Sequence, residues 1–471
     1  MKNKQTRRHR HLTFKALSIF LLLQQTVTAQ QVNNFTVKQA VDYALSNAVE
    51  VKNSLLDLQI QKQTNREITS AAFPQITGGV SVNYFPNVAV QSFPNFIAAA
   101  TYGVLKDEGV KDGNGNPILS PADFGIVQAQ FGTNYNASGG IDISQLLFDG
   151  QVFVGLQARD AALDFMRRQT AVTEEMIKVN VQKIYYQLVV GRQQITSVDA
   201  NIERFNKLLN DTKEIYKNGF AEKLDIDKVG VQLNNLLTEK LKIENQLKAG
   251  NASLKFLMNM PQKETLILTD SITEEELKTN LLDKNYNYAD RKEFQLLEVG
   301  KKLNEYNVRR YKLSYLPTVA LYGNYYKNAQ RNKFDFFSKG PWFTSSLVGV
   351  KIAVPVFDGF AKAARVSKAR LELQKTTNSM EQLKGRIDND VAQANFNLST
   401  SLITMDSQKK NMELAEKVFN TTKQKYDQGL GSNQEIYNAQ TELKVAQNNY
   451  YGALYDAIIS KIDFLKATGK L

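Results

Sequence analysis

Four stretches of the chain alternate apolar residues with polar or small ones at a period of two. In the first, Ile76, Gly78, Val80, Val82 and Tyr84 share one face and Gln75, Thr77, Gly79, Ser81 and Asn83 the other. The second sets Tyr135, Ala137, Gly139, Ile141 and Ile143 against Asn134, Asn136, Ser138, Asp142 and Ser144. The third carries Val319, Leu321, Gly323 and Tyr325, and the fourth Ser346, Val348, Val350, Ile352, Val354 and Val356. Successive strand side chains point to opposite faces, so each stretch predicts a β-strand with one apolar side. Pro74 and Pro317 mark the starts of the first and third strands. Strands of about ten residues with this alternation suit a transmembrane barrel, with lipid on one side and water on the other. They suit equally four half-buried strands of a soluble sheet.

Between and around these strands the period changes to that of a helix. Val37, Val41, Ala44, Leu45 and Ala48 follow helical spacing, and Thr36 with Gln39 fits a capping box. That helix should end before Pro74, because a residue preceding proline disfavours the helical region. After Phe148-Asp149-Gly150 and again after Phe357-Asp358-Gly359 a long helix is expected, since no proline occurs from Ala122 to Met260 or beyond Pro355. Ile177, Val181, Ile184, Leu188, Ile195, Val198, Ile202, Phe205 and Leu209 keep spacings of four and three, with Gly191 in the skipped place. This is the 3.5-residue period of a coiled coil. A helix from Asp149 to Ile215 would be roughly 100 Å long at about 1.5 Å per residue. Each long helix breaks once, at Asn218-Gly219-Phe220 and at Gln428-Gly429-Leu430, where glycine supports a reversing cap. Return helices are expected from Asp225 to Met258 and from Glu435 to Lys466.

The whole arrangement occurs twice. Gly140 to Gly150 reads like Gly349 to Gly359, and Thr212 to Gly219 reads like Thr422 to Gly429, at one common offset. The expected divisions are therefore residues 1–29, a leader; 30–260, a first repeat; 261–290, an acidic connector; and 291–471, a second repeat.

The leader reading rests on a basic start (Lys2, Lys4, Arg7, Arg8, Arg10, Lys15), a short apolar run from Ala16 to Leu23, and small residues before Gln30. Loss of its six basic residues lowers the formal charge from +12 to +6. That balance, with no basic run interleaved with aromatics, gives no reason to expect nucleic acid. His9 and His11 lie in the leader, and the chain has no cysteine. The mature chain thus lacks the side chains for a Cys or His zinc site, a cysteine nucleophile or a Ser-His-Asp relay. No metal site, cofactor or enzymatic activity is expected.

Two loops join the strand pairs. The first, residues 85–133, holds Asp112, Asn114 and Asn116 at calcium-loop spacing, but Pro117 stands where that loop needs glycine and Asp123 where it needs glutamate. A surface loop of turn residues is the expectation. The second holds Phe334, Phe336, Phe337, Trp342 and Phe343, suited to an aromatic girdle or to loop packing.

Four strands cannot close a barrel, for which about eight is the minimum. An open sheet edge in lipid would leave backbone groups unpaired. Membrane strands would therefore require oligomerisation, which would also arrange the helical hairpins in a ring.

The chain resembles the TolC-type outer-membrane efflux factor family across essentially all of its mature length. The likeness is carried by Phe35 to Leu45, by Phe73-Pro74 and Leu316-Pro317, by both Phe-Asp-Gly turns and by both Tyr-x-x-Gly tips, in order and duplicated. It implies a membrane α+β fold: a homotrimer sharing a 12-stranded β-barrel in the outer membrane, continued by an α-helical barrel in the periplasm. It implies an exit duct for tripartite efflux or type I secretion, with outer-membrane lipid, a periplasmic adaptor and an inner-membrane pump as partners. By the same resemblance, Asp225 and Tyr426 form a closing link at the periplasmic aperture and Glu435 joins a carboxylate ring. Asn438 stands where the family carries a second acidic ring, which weakens the expectation of cation selectivity. Asp225 and Glu435 also suit the first turn of a helix for dipole reasons alone. The tips at Asn218, Gly219 and Phe220 and at Gln428, Gly429 and Leu430 resemble adaptor-docking sites. A reading from another class remains, a secreted coiled-coil scaffold or adhesin whose strand pairs form a soluble cap.

Overall fold

The computed structural model describes residues 32–270, 277–278, 285–338 and 340–471. The leader and Glu274-Glu275-Glu276 of the connector lie outside the described residues. In chain order the elements are β1 (Val32–Phe35), α1 (Val37–Asn47), α2 (Val49–Ser70), β2 (Gln75–Tyr84), β3 (Val90–Pro94), α3 (Phe96–Asp107), β4 (Ile126–Gln130) and β5 (Tyr135–Phe148). There follow α4 (Gly150–Lys217), α5 (Lys223–Leu257), β6 (Thr265–Leu268), α6 (Lys292–Leu313), β7 (Thr318–Arg331), β8 (Phe343–Ala353), α7 (Ala361–Asp427) and α8 (Asn433–Ala467). Two compact units form, and each draws on both sequence repeats.

The first unit comprises the described residues up to Lys62, Asp160–Asn304 and Glu372–Leu471. Here the heptad positions named above point inward. Ile177, Val181, Leu188, Val198 and Phe205 are buried, and the others are partly so. At the skipped heptad place, a Cβ on Gly191 would lie 2.8 Å from Leu247 Cδ2, so glycine lets α5 approach α4. Thr36 and Gln39 form the expected reciprocal box at the start of α1. The helix then breaks at Ala48, which takes an extended conformation before α2 begins.

One pairing was not expected. β1 runs parallel to β6, more than two hundred residues later, and Tyr185 fastens the pair. Its hydroxyl donates to Phe35 O at 2.8 Å and accepts from Asp270 N at 3.3 Å. Burial, reinforced by the nearby Asp270 charge, pushes the Tyr185 phenol up to about 12. The connector is held further along by Tyr286 and Tyr288, which both donate to Asp388 of α7, at 2.6 and 2.9 Å.

The second unit comprises Gln63–Arg159 and Glu305–Leu371. Its centre is a four-stranded antiparallel sheet in the order β2-β5-β7-β8. The repeats meet at β5 and β7. Ile76 pairs with Ile143, Ile141 with Tyr325, and Val319 with Ile352, so the apolar sets of all four strands fall on one face. Thr77, Asp142, Asn324 and Leu347 line up across the other face, where Ser81 meets Ser138 at 2.8 Å and Asn328 donates to Ser345.

Three boundaries depart from the sequence pattern. The fourth strand ends at Ala353 rather than running to Val356, because Pro355 has no N–H for the ladder. β5 continues to Phe148 through an irregularity between Leu146 and Phe148, and β7 extends to Arg331. Residues 85–133, expected as a loop of turns, instead contain the hairpin β3–β4 with α3 between its strands. Phe93 stacks with Phe96 there and packs at a tilt against Phe131, as Tyr102 does against Phe124.

Candidate functional site

The two helical reversals are built alike. Gly219 (φ 81) and Gly429 (φ 74) both occupy the left-handed region, where a side chain is strained. In each turn the glycine N–H reaches the carbonyl three residues back, Tyr216 or Tyr426, at 2.9 Å. The next N–H reaches five residues back, Phe220 to Ile215 at 3.0 Å and Leu430 to Lys425 at 2.9 Å. This is a Schellman motif, made twice by the repeated Tyr-x-x-Gly. The residue after each glycine is thrust outward, Phe220 being 85% and Leu430 77% exposed.

The returning helices begin with side-chain caps. Asp225 Oδ2 accepts from Glu222 N at 3.1 Å, half of a capping box that Glu222 completes. Ser432 Oγ accepts from Glu435 N at 3.3 Å. Asn438 accepts from Gln434 at 3.0 Å on the exposed side of α8. Tyr426 packs against the buried cluster of Phe205, Leu208, Val229, Phe419 and Ile436 that joins the two hairpins. A Cβ on Gly431 would lie 3.2 Å from Tyr426 N and 3.4 Å from Glu435 Oε2, so these two residues border one turn. Asp225 and Tyr426 make no hydrogen bond to each other within one chain among the described residues.

Several polar contacts here were invisible in the sequence, because they join helices far apart in the chain. Gln232 donates to Tyr437 at 2.9 Å, Asn201 to Gln447 at 2.7 Å and Gln194 to Asn448 at 3.0 Å. Glu239 takes Lys444 and Asn448 together. Gln440 is buried with neither amide atom hydrogen-bonded. Its place beside the buried Ile436 and Ala439 on α8 gave no sequence signal.

The two Phe-Asp-Gly turns share residues but use them differently. Asp149 Oδ1 accepts from Gln151 N at 2.7 Å and caps α4, while Gly150 is required by space, since a Cβ there would lie 2.7 Å from Leu313 Cβ. Asp358 Oδ2 accepts from Lys362 N at 2.9 Å, while Gly359 is required by its left-handed φ of 64. Phe148 packs against Phe153 with the rings tilted, and Phe357 packs edgewise on Phe360. Pro74 and Pro317 each stand one residue before a strand.

The sheet carries the second candidate surface. On its apolar face Ile76, Val80, Val348, Val350 and Ile352 are exposed, Val80 by 85%. On its polar face Tyr326 donates to the Asp142 carboxylate. The calcium-like loop is spoken for: Asp112 Oδ1 accepts from Asn114 N and Asn116 N, each at 2.9 Å, which lowers its pKa and closes a tight turn.

Comparisons with known proteins agree with this picture. Residues 289–470 match the family described as Outer membrane efflux protein. The outer membrane protein TolC of Vibrio cholerae serotype O1 is 20% identical over 336 residues, which span 71% of this chain and 77% of that protein. The fold matches crystal structures of CusC (TM-score 0.72, 14% identity, 92% of each chain) and of the Campylobacter jejuni outer membrane channel CmeC (TM-score 0.70, 15% identity, 92% and 85%). The long helical hairpins and the amphipathic sheet are the fold shared with these solved outer-membrane channels. The chain is thus similar to outer membrane efflux proteins over residues 289–470 and shares the fold of solved outer-membrane channels.

Proposed function

We propose that three copies of the chain close their sheets into one 12-stranded barrel, continued by a helical tube, and that this assembly is the exit duct of a tripartite efflux or type I secretion system. The observation that carries the reading is the open sheet, with unpaired edges at β2 and β8 and an apolar face left exposed. Three antiparallel steps separate β2 from β8, so these edges run in opposite directions. The β2 of one copy can therefore pair antiparallel with the β8 of the next, and closure removes every edge from lipid. An even strand number and a continuous apolar band follow, as bacterial barrels require. In this reading residues 30–260 and 291–471 act as pseudo-equivalent halves and 261–290 joins them.

The aperture lies at the helical reversals. Asp225 and Tyr426 link neighbouring hairpins across a subunit boundary, Glu435 lines the hole and Asn438 leaves a second ring uncharged. The tips at Asn218-Gly219-Phe220 and Gln428-Gly429-Leu430 receive a periplasmic adaptor, which connects the duct to an inner-membrane pump. Native mass spectrometry of the detergent-extracted protein tests the assembly. The expected mass is that of a trimer that survives in detergent. A water-soluble monomer or dimer would overturn the reading and favour the coiled-coil scaffold.

A further inference from the structure

We propose that the outer rim of the sheet binds the phosphate of an anionic lipid, through Lys327 and Lys333 set among exposed aromatic rings. The proposal rests on the reading that the sheet spans the outer membrane. Strand alternation places Lys327 on the apolar face of β7, in line with Val319, Leu321, Gly323 and Tyr325. An ammonium group is unfavourable in hydrocarbon and tolerated at the interface. From Thr318 to Lys327, strand rise with the usual tilt of about 40° covers roughly 23 Å, close to the height of an apolar band. Lys327 therefore falls where hydrocarbon gives way to headgroups.

The surroundings make a notch there. Across β5 the partner of Lys327 is Gly139, which contributes no side chain, and a Cβ at that position would lie 3.6 Å from Val80. Across β8 the partner is Thr344, whose hydroxyl adds a donor. Just beyond, the chain after β7 folds back over the same face. Phe336 is buried against Ala137 and Ala329, and the Arg331 guanidinium lies 5.4 Å from the centre of its ring. This clasp exposes Lys333, Phe334 and Phe337.

Charge selects the ligand. Arg331 is paired with Asp335 at 3.0 Å and is itself buried, so it holds the clasp and does not face the ligand. Lys327 and Lys333 have no ion pair among the described residues. The rim thus presents two unneutralised cations and the Thr344 hydroxyl beside rings suited to the headgroup layer, which matches a lipid phosphate and gives a zwitterionic headgroup no advantage.

The test uses the purified full-length mature protein in detergent, titrated with phosphatidylglycerol or phosphatidylcholine and read by native mass spectrometry. Retention of the anionic lipid should exceed that of the zwitterionic one several-fold. The preference should vanish in the Lys327→Gln/Lys333→Gln double variant and persist in Lys351→Gln, which alters the opposite face. Equal retention of both lipids by the unaltered trimer, or an unchanged preference in the double variant, overturns the proposal while leaving the barrel standing. The same spectra report the oligomer, so a monomer without preference contradicts both the rim site and the barrel.

Discussion

The hydroxyl of Tyr326, from the second repeat, donates to the carboxylate of Asp142, from the first, on the polar face of the sheet. Asp142 and Lys351 are the charged residues that the four strands place on that face. If the face lines a pore, Asp142 contributes to the ion preference inside the barrel. Asp142→Asn should shift the reversal potential in a salt gradient toward anion permeation, most clearly at low ionic strength where screening is weakest. Tyr326→Phe should cost about 1 kcal/mol of stability or less and, because the Asp142 charge stays, should not shift the reversal potential toward anion permeation. An unchanged reversal potential in Asp142→Asn would remove the residue from the conduction path.

The proposed aperture makes a separate prediction. Asp225 caps its own helix within one chain, so Asp225→Ala should cost about 1 kcal/mol through the cap alone. A link between subunits adds a second effect. Asp225→Ala with Tyr426→Phe should raise single-channel conductance in planar bilayers several-fold without lowering the helical content. Asn438→Asp should increase cation preference by restoring a second acidic ring. Conductance equal to that of the parent protein in the first variant would leave Asp225 with only its capping role.

The tips test the repeated reversal. Gly219→Ala or Gly429→Ala forces a side chain into the left-handed region at a cost of about 1–2 kcal/mol. Hydrogen exchange should rise in the last turn of α4 or α7 and the first turn of α5 or α8, and stay unchanged in the sheet. Phe220→Ser and Leu430→Ser should instead leave exchange alone and weaken capture by the adaptor.

A buried carboxyl in the first unit makes stability depend on pH. Glu175 of α4 is buried, and desolvation, with the neighbouring Glu293 charge, raises its pKa above the usual 4.5. Arg291, Lys292 and Lys466 face it and partly offset that rise. A raised carboxyl binds its proton more tightly in the fold, so this residue costs stability as pH rises through its folded pKa. Glu293 is opposite in sign: burial opposes its charge, but the Arg291 hydrogen bond and charge lower its pKa overall, so its contribution is lost in acid. Glu175→Gln should therefore raise the melting temperature at neutral pH, and the gain should disappear as pH falls toward 4.5. A gain that is constant across that range would assign the effect to packing.

What the sequence revealed and concealed follows from the range of the interactions. The alternation of Ile76 to Tyr84 and of Val319 to Tyr325 was legible because one face of each strand is left apolar along its whole length. The reversals were legible because Gly219 and Gly429 solve a local backbone problem. The β1–β6 pair was not, since its register depends on Tyr185, Phe35 and Asp270 meeting across the fold. The hairpin and helix within residues 85–133 were hidden by short elements separated by glycine and proline. The helical contacts of Glu239, Gln440 and Asn201 were hidden because a polar residue inside a coiled coil looks, in sequence, like one on its surface.

The central claim is that β2 of one copy pairs with β8 of the next, and the absence of cysteine allows it to be tested directly. Val80→Cys on β2 would be combined with single cysteines stepped along β8 from Thr344 to Val350, and mild oxidation in isolated outer membranes followed by denaturing electrophoresis. The account predicts a ladder of dimer and trimer at one or two β8 positions on one face, and none with either cysteine alone. Only monomer at every position, with the cysteines open to water-soluble maleimide, would contradict the shared barrel.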